Sequence, residues 1–205
     1  MAVVSGAPNL KSMQDFRSTI GNGRDMSKIS RFLVRIGRFA NDEEMMYMCD
    51  SAEIPGRTLE TFPVRYYGPQ FKLPNNSAYT DINLNFIVRD TMIEKEKFDQ
   101  WMQYIHPKNT YDFKFLNQYS CDIDIYQYSE IQGIGATYQC TLTRAYPIAI
   151  NPMQTNWAEE GIHRLQVSFS YTDWVTFEEK QLNQASIVTN SAAQTGSFGF
   201  ARSAF

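Results

Sequence analysis

The sequence predicts a mainly β chain, with an antiparallel sheet that has one dry face and one wet face, and a single amphipathic helix. Three observations predict it. Apolar and polar residues alternate with period two along most of the chain, the spacing that puts successive side chains on opposite faces of a strand. Aromatics make up 14% of the residues, with 12 Tyr and 14 Phe, which suits half-buried strands. Pro-Gly and Gly-Pro pairs separate the alternating runs. With 205 residues, 43% of them hydrophobic, the chain is long enough for one domain with a real core.

Residues 1–27 are mixed and rich in Ser, Gly and Asn, and read as an arm. The first strand is expected over Ser30–Arg38, where Phe32, Val34 and Ile36 alternate with Leu33 and Arg35. A second candidate strand spans Met45–Ala52. Pro55-Gly56, Gly68-Pro69 and Pro74-Asn75-Asn76 punctuate the segment 55–79, which reads as an extended hairpin or loop. Asp81–Arg89 sets Ile82, Leu84, Phe86 and Val88 against Asp81, Asn83 and Asn85.

The helix is expected over about 91–105. Thr91 and Glu94 fit a capping box, Phe98, Trp101, Met102 and Ile105 form one apolar stripe, and Pro107 ends it. Glu94, Lys95, Glu96 and Lys97 are expected on its solvated face. Three strands follow. Cys121–Tyr128 sets Ile123 and Ile125 against Asp122 and Asp124. Thr137–Tyr146 sets Cys140 and Leu142 against Thr141 and Thr143. His163–Tyr171 sets Leu165, Val167, Phe169 and Tyr171 against Arg164, Gln166, Ser168 and Ser170. Gly133 and Gly135 mark a turn, and Tyr146–Trp157 reads as a turn-rich corner with Pro147 and Pro152. Residues 179–205 read as a polar tail, either a disordered end or one whose Phe residues dock on a neighbour.

The pattern points away from catalysis. Phosphate-loop, nucleophile-elbow and HExxH spacings are missing. Cys49, Cys121 and Cys140 are widely spaced and odd in number, which fits buried free thiols better than zinc or a disulfide framework. His106 and His163 are the only histidines, and Glu159 and Glu160 are sequence neighbours, which rarely share acid–base work. No catalytic residue, cofactor or metal is expected. The N-terminus lacks the cationic start and apolar core of a secretory signal, and no run is long enough to cross a membrane, so cytoplasmic synthesis without a membrane anchor is expected.

A formal charge of −3 gives no general footprint for nucleic acid. The wet faces sharpen this. Asn83, Asn85, Asp122, Asp124, Thr141, Thr143, Gln166 and Ser168 are polar and neutral or acidic, whereas ordinary solvent faces carry interspersed lysines. Such a lining suits a surface that must not hold phosphate.

Two blocks carry a resemblance. Ser51-Ala-Glu-Ile-Pro-Gly-Arg-Thr-Leu59, Tyr67-Gly-Pro69, Lys72-Leu-Pro74 and Tyr79-Thr-Asp-Ile-Asn-Leu84 form the first. Ala145-Tyr-Pro-Ile-Ala-Ile-Asn-Pro-Met153, Trp157 and Leu165–Trp174 form the second. In this order and spacing, residues 28–178 resemble the tail tube proteins of contractile-tailed bacteriophages, with 1–27 and 179–205 outside the pattern.

The resemblance implies an antiparallel β-sandwich approaching a barrel, flanked by the helix. It further implies a homo-hexameric ring stacked into an inner tail tube within a sheath, and partners among the sheath, baseplate tube and tape-measure proteins. DNA would pass through without specific binding, and the virion would be assembled in the bacterial cytoplasm. The eight polar residues above are the candidates for the channel lining. Arg57, Phe62, Arg65, Tyr66, Tyr67, Phe71 and Lys72 are the candidates for contacts between subunits and rings. A baseplate protein that starts or caps the tube and a type VI secretion tube protein are the alternatives.

Overall fold

The fold is given by a computed structural model that describes residues 27–129, 135–158 and 160–181. The arm before residue 27, Gly133, Glu159 and the tail beyond 181 lie outside the described residues.

Strands form over the expected alternating runs and in the expected hairpin segment, and one further short strand, Asp173–Thr176, was not expected. They are β1 (Phe32–Ile36), β2 (Cys49–Ala52), β3 (Thr58–Val64), β4 (Phe71–Ala78), β5 (Ile82–Ile87), β6 (Cys121–Tyr128), β7 (Ala136–Ile150), β8 (Arg164–Ser170) and β9 (Asp173–Thr176). The helices are α1 (Glu43–Tyr47), α2 (Ile93–Ile105) and α3 (Leu116–Tyr119), with a 3₁₀ turn at Gly37–Phe39. All strand pairings are antiparallel.

One bent sheet runs β1-β6-β7-β8-β5-β2, with β9 also on β7, and β3-β4 forms a separate two-stranded sheet. The bend lies in β7. Its first part pairs with β6 and β9, and from Tyr146 onward it pairs with β8. Between them Arg144 takes a left-handed φ of 52°, a conformation that costs an L-residue roughly 1–2 kcal/mol. The Arg144 N–H donates to the Asp122 carboxylate at 3.2 Å, which holds the kink. Pro147 lacks an N–H, and the pairing slips between it and Ala149.

The inward faces of both halves meet in one core that includes Val34, Ile123, Leu142, Leu84, Val167 and Phe169. Helix α2 closes this core. Phe98 and Trp101 are fully buried against Phe39, Phe86 and Phe169, and the Trp101 indole N–H donates to the Tyr119 carbonyl at 3.0 Å. The end strands β1 and β2 do not pair, so the sandwich stays short of a closed barrel. Gly37 is required where the 3₁₀ turn touches β6, because a Cβ there would meet the Asp122 carbonyl at 2.9 Å.

Several local expectations change. Met45–Ala52 is helix α1 followed by a short strand, because Glu43 and Glu44 start a turn that buries Met45. The corner begins after Ile150, since β7 runs through Pro147. Thr91 does not cap α2. Met92 holds the N-cap position with φ 54°, and no side chain caps it. Glu94 leaves the solvated face altogether. It is fully buried and accepts from the Arg89 backbone N–H at 3.1 Å and Nε at 2.5 Å.

Candidate assembly surfaces

The β3–β4 hairpin stands apart from the main sheet. Seven residues of β3 span about 24 Å. Beyond a bulge at Glu60/Thr61, Phe62 lies opposite Leu73 and Val64 opposite Phe71, so these four share one face. That face is open: Phe62, Phe71 and Leu73 are all exposed. The tip is more so, with Tyr66 81% and Tyr67 99% exposed. Gly68 supplies the turn there with φ 78°.

Both arginines expected to reach neighbours are already engaged within the subunit. Arg57 donates to the Ser77 hydroxyl at the hairpin root, at 2.9 and 3.2 Å, and Arg65 Nε donates to the Gly68 carbonyl at the tip, at 3.1 Å. Both stiffen the hairpin. Lys72 is exposed on the face opposite Phe62.

The eight polar residues read as one wet lining fall into two patches, separated by the β7 bend. The first holds Asp122, Asp124, Thr141 and Thr143 on β6 and the first part of β7. The second holds Asn83, Asn85, Gln166 and Ser168 on β5 and β8, where Asn83 pairs with Ser168 and Asn85 with Gln166.

The first patch departs from expectation. Thr141 is 1% exposed, and its hydroxyl donates to Asp124 at 2.5 Å. A helical turn over 177–181 follows β9 and brings Lys180 Nζ to 3.7 Å from the Asp124 carboxylate and 3.4 Å from the Thr141 hydroxyl. Arg35 sits beside Asp124 in register on β1. This face therefore does carry cations. The reading missed them because one is set by strand order and the other by the fold-back of the chain after β9. Asp122 holds the bend, and the Thr143 hydroxyl donates to the Asp173 carbonyl at 2.9 Å.

The second patch stays half-exposed and is bonded within itself. The Ser168 hydroxyl donates to Asn83 Oδ1 at 2.7 Å, Asn85 Nδ2 donates to the Ser51 hydroxyl at 2.7 Å, and Asn151 Nδ2 donates to Gln166 Oε1 at 2.6 Å. The Glu53 carboxylate accepts from the Asn83 backbone N–H at 2.9 Å. Arg164, at the start of β8, is bound by Asp50 at 2.8 Å.

The described residues do not assemble acid–base or nucleophilic machinery. Burial pushes the Cys49 thiol up to about 12 and the Cys121 and Cys140 thiols up to about 11, which keeps all three protonated and poorly nucleophilic near neutrality. His106 packs against the Phe113 and Tyr111 rings. A cleft of about 410 Å³ between β1 and β2 is lined by Ile29, Phe32, Ala52, Ile54 and Ile125, and of its polar groups Asp50 is paired with Arg164 and the Ser51 hydroxyl accepts from Asn85. Among the described residues no group of His, Cys, Asp and Glu could hold a metal, and no helix is long and apolar enough to cross a membrane.

Sequence reasoning missed a further set of exposed aromatics. Tyr104, Tyr111, Phe113 and Phe115 lie on and after α2, with Arg38 and Lys114 over the Tyr104 ring, and Trp157 is fully exposed in the 151–163 loop. Their signal was present as aromatics in a segment without strand period.

The family model described as phage tail tube protein matches residues 15–177, beginning inside the segment read as an arm. No curated protein matches the sequence. Among solved structures, the chain is similar to one from a sheath–tube complex of an extracellular contractile injection system, PVC. The identity is 20%, coverage is 82% of this chain and 98% of that one, and the TM-score is 0.58. A chain of the PVC sheath/tube terminator gives 17%, 74%, 96% and 0.57 for the same quantities. The tube-terminating cap of the anti-feeding prophage gives 17%, 86%, 98% and 0.58. At such identities the structures share the fold, and the sequence match fixes the family. With a mainly β sandwich, a self-standing hairpin and a match over most of its length, the chain belongs to the phage tail tube protein family, a structural and non-enzymatic component of the virion.

Proposed function

We propose that six copies of this protein close into a ring, and that rings stack into the inner tube of a contractile tail. The tube lies inside a sheath, starts on baseplate tube proteins, holds a tape-measure protein during assembly in the host cytoplasm, and later conducts DNA. The hairpin carries this reading. An isolated two-stranded hairpin is at best marginally stable in water, yet this one presents Phe62, Phe71 and Leu73 on one face and Tyr66 and Tyr67 at its tip. A neighbouring subunit that covers this face supplies the missing layer. In this reading the hairpin seats on a different patch of the neighbouring copy, a heterologous contact that propagates by rotation into rings or stacks. Pro63 and Pro74 blunt the hairpin edges against random strand pairing.

A second reading is a single terminal ring that caps or starts the tube. The likeness to terminator and cap chains favours keeping it. Electron microscopy of the purified protein separates the two. Long hollow rods support the tube, isolated rings support the cap, and monomers at high concentration overturn both.

A further inference from the structure

We infer that only the β5–β8 patch, Asn83, Asn85, Gln166 and Ser168 with Ser51 and Glu53, faces the channel, and that the β6–β7 patch does not; this inference rests on the tube reading. The two patches lie on different sides of the shared core, separated by the β7 bend, so one bore is lined by one of them. The β6–β7 patch is consumed by the subunit's own structure. Thr141 is buried, Asp124 is held by Lys180 and Thr141, Asp122 holds the bend, and Arg35 and Lys180 place two cations there.

The β5–β8 patch has the opposite character. It is half-exposed, and its side chains bond one another across strands. A polyanion is held by cations and by unused N–H and O–H donors that reach phosphate oxygens. Here the Ser168 hydroxyl and one amide hydrogen each of Asn85 and Asn151 already point at neighbours. Arg164, on the same face of β8, is paired with Asp50, and Glu53 adds negative charge. The partner this surface fits is a polyanion in transit. The lining is passive because several of its donors are already turned to neighbours and its one cation, Arg164, is paired with a carboxylate.

Thiol mapping tests it, in a Cys49→Ser, Cys121→Ser background that leaves only the buried Cys140. Ser168→Cys and Thr143→Cys are each treated, before and after assembly, with a small maleimide and with a polymer maleimide too bulky to travel along a narrow bore. Ser168→Cys should react with both reagents when unassembled, and on assembly lose polymer labelling while keeping the small label. Thr143→Cys should not show that channel pattern. Polymer labelling of Ser168→Cys in tubes, loss of both labels there, or the channel pattern at Thr143→Cys overturns the inference while leaving the tube intact. Failure of the parent protein to polymerise overturns the tube reading instead. If Ser168→Cys alone fails to assemble, Asn85→Cys must show the same channel pattern, and its absence there overturns the inference.

Discussion

Arg144 and Asp122 set the bend on which the sheet depends. The left-handed backbone at Arg144 breaks the ladder, and the Asp122 carboxylate takes the N–H that the break exposes. Asp122→Ala should lower unfolding stability by about 1–2 kcal/mol in urea denaturation. A variant as stable as the parent would show that the bend does not need its acceptor. Glu94 makes a second residue-scale prediction. Burial alone would raise its pKa, but its own backbone N–H, the Arg89 hydrogen bonds and the Arg89 charge together hold it below the ordinary 4.5. The bound carboxylate therefore stabilises the fold fully above that value, and the contribution is lost as pH falls through the lowered folded pKa. Glu94→Gln should reduce stability at neutral pH and flatten the loss of stability below about pH 4.5. An unchanged acid profile would contradict this role.

Among the elements, α2 and the hairpin have opposite duties. Helix α2 closes the core, and Trp101→Ala should cost about 3–5 kcal/mol, seen as a lower urea midpoint. The hairpin adds little to the core of its own subunit. A Tyr66→Ser, Tyr67→Ser variant should keep the parent's thermal midpoint and lose polymerisation in sedimentation, whereas a fall in the midpoint with assembly intact would place those rings in the monomer's core.

Most elements were legible because strands β1, β5, β6 and β8 alternate cleanly and Phe98, Trp101 and Ile105 mark one helix face. Element ends were less so. Glu94 looks solvent-facing in sequence because its partner is Arg89, which lies before the helix and folds back onto it. Although Thr141 is buried beneath the turn that carries Lys180, alternation also separated the polar face of each strand from the core-facing one. It could not say that those faces belong to two halves of a bent sheet, because the bend depends on a φ angle at Arg144, a residue with no turn signature. Lys180 escaped notice for a related reason: it reaches Asp124 from beyond the last strand.

For the whole molecule, the proposed tube reading has an open sandwich with an exposed apolar hairpin completed by a ring of copies. Charge on the bore then matters more than charge on the chain. Asn85→Lys would add one cation per subunit on the β5–β8 patch, repeated in every ring. Tubes should still form, and DNA release from infecting particles should slow. Unchanged ejection kinetics with the lysine present would contradict a bore kept free of unpaired cations. The most direct measurement is a cryo-electron microscopy reconstruction of the purified, assembled protein. It should show stacked six-fold rings with the hairpin seated on a neighbour and Asn83, Asn85, Gln166 and Ser168 on the inner wall. Monomers that never assemble, or rods whose hairpins stand free in solvent, would contradict the account.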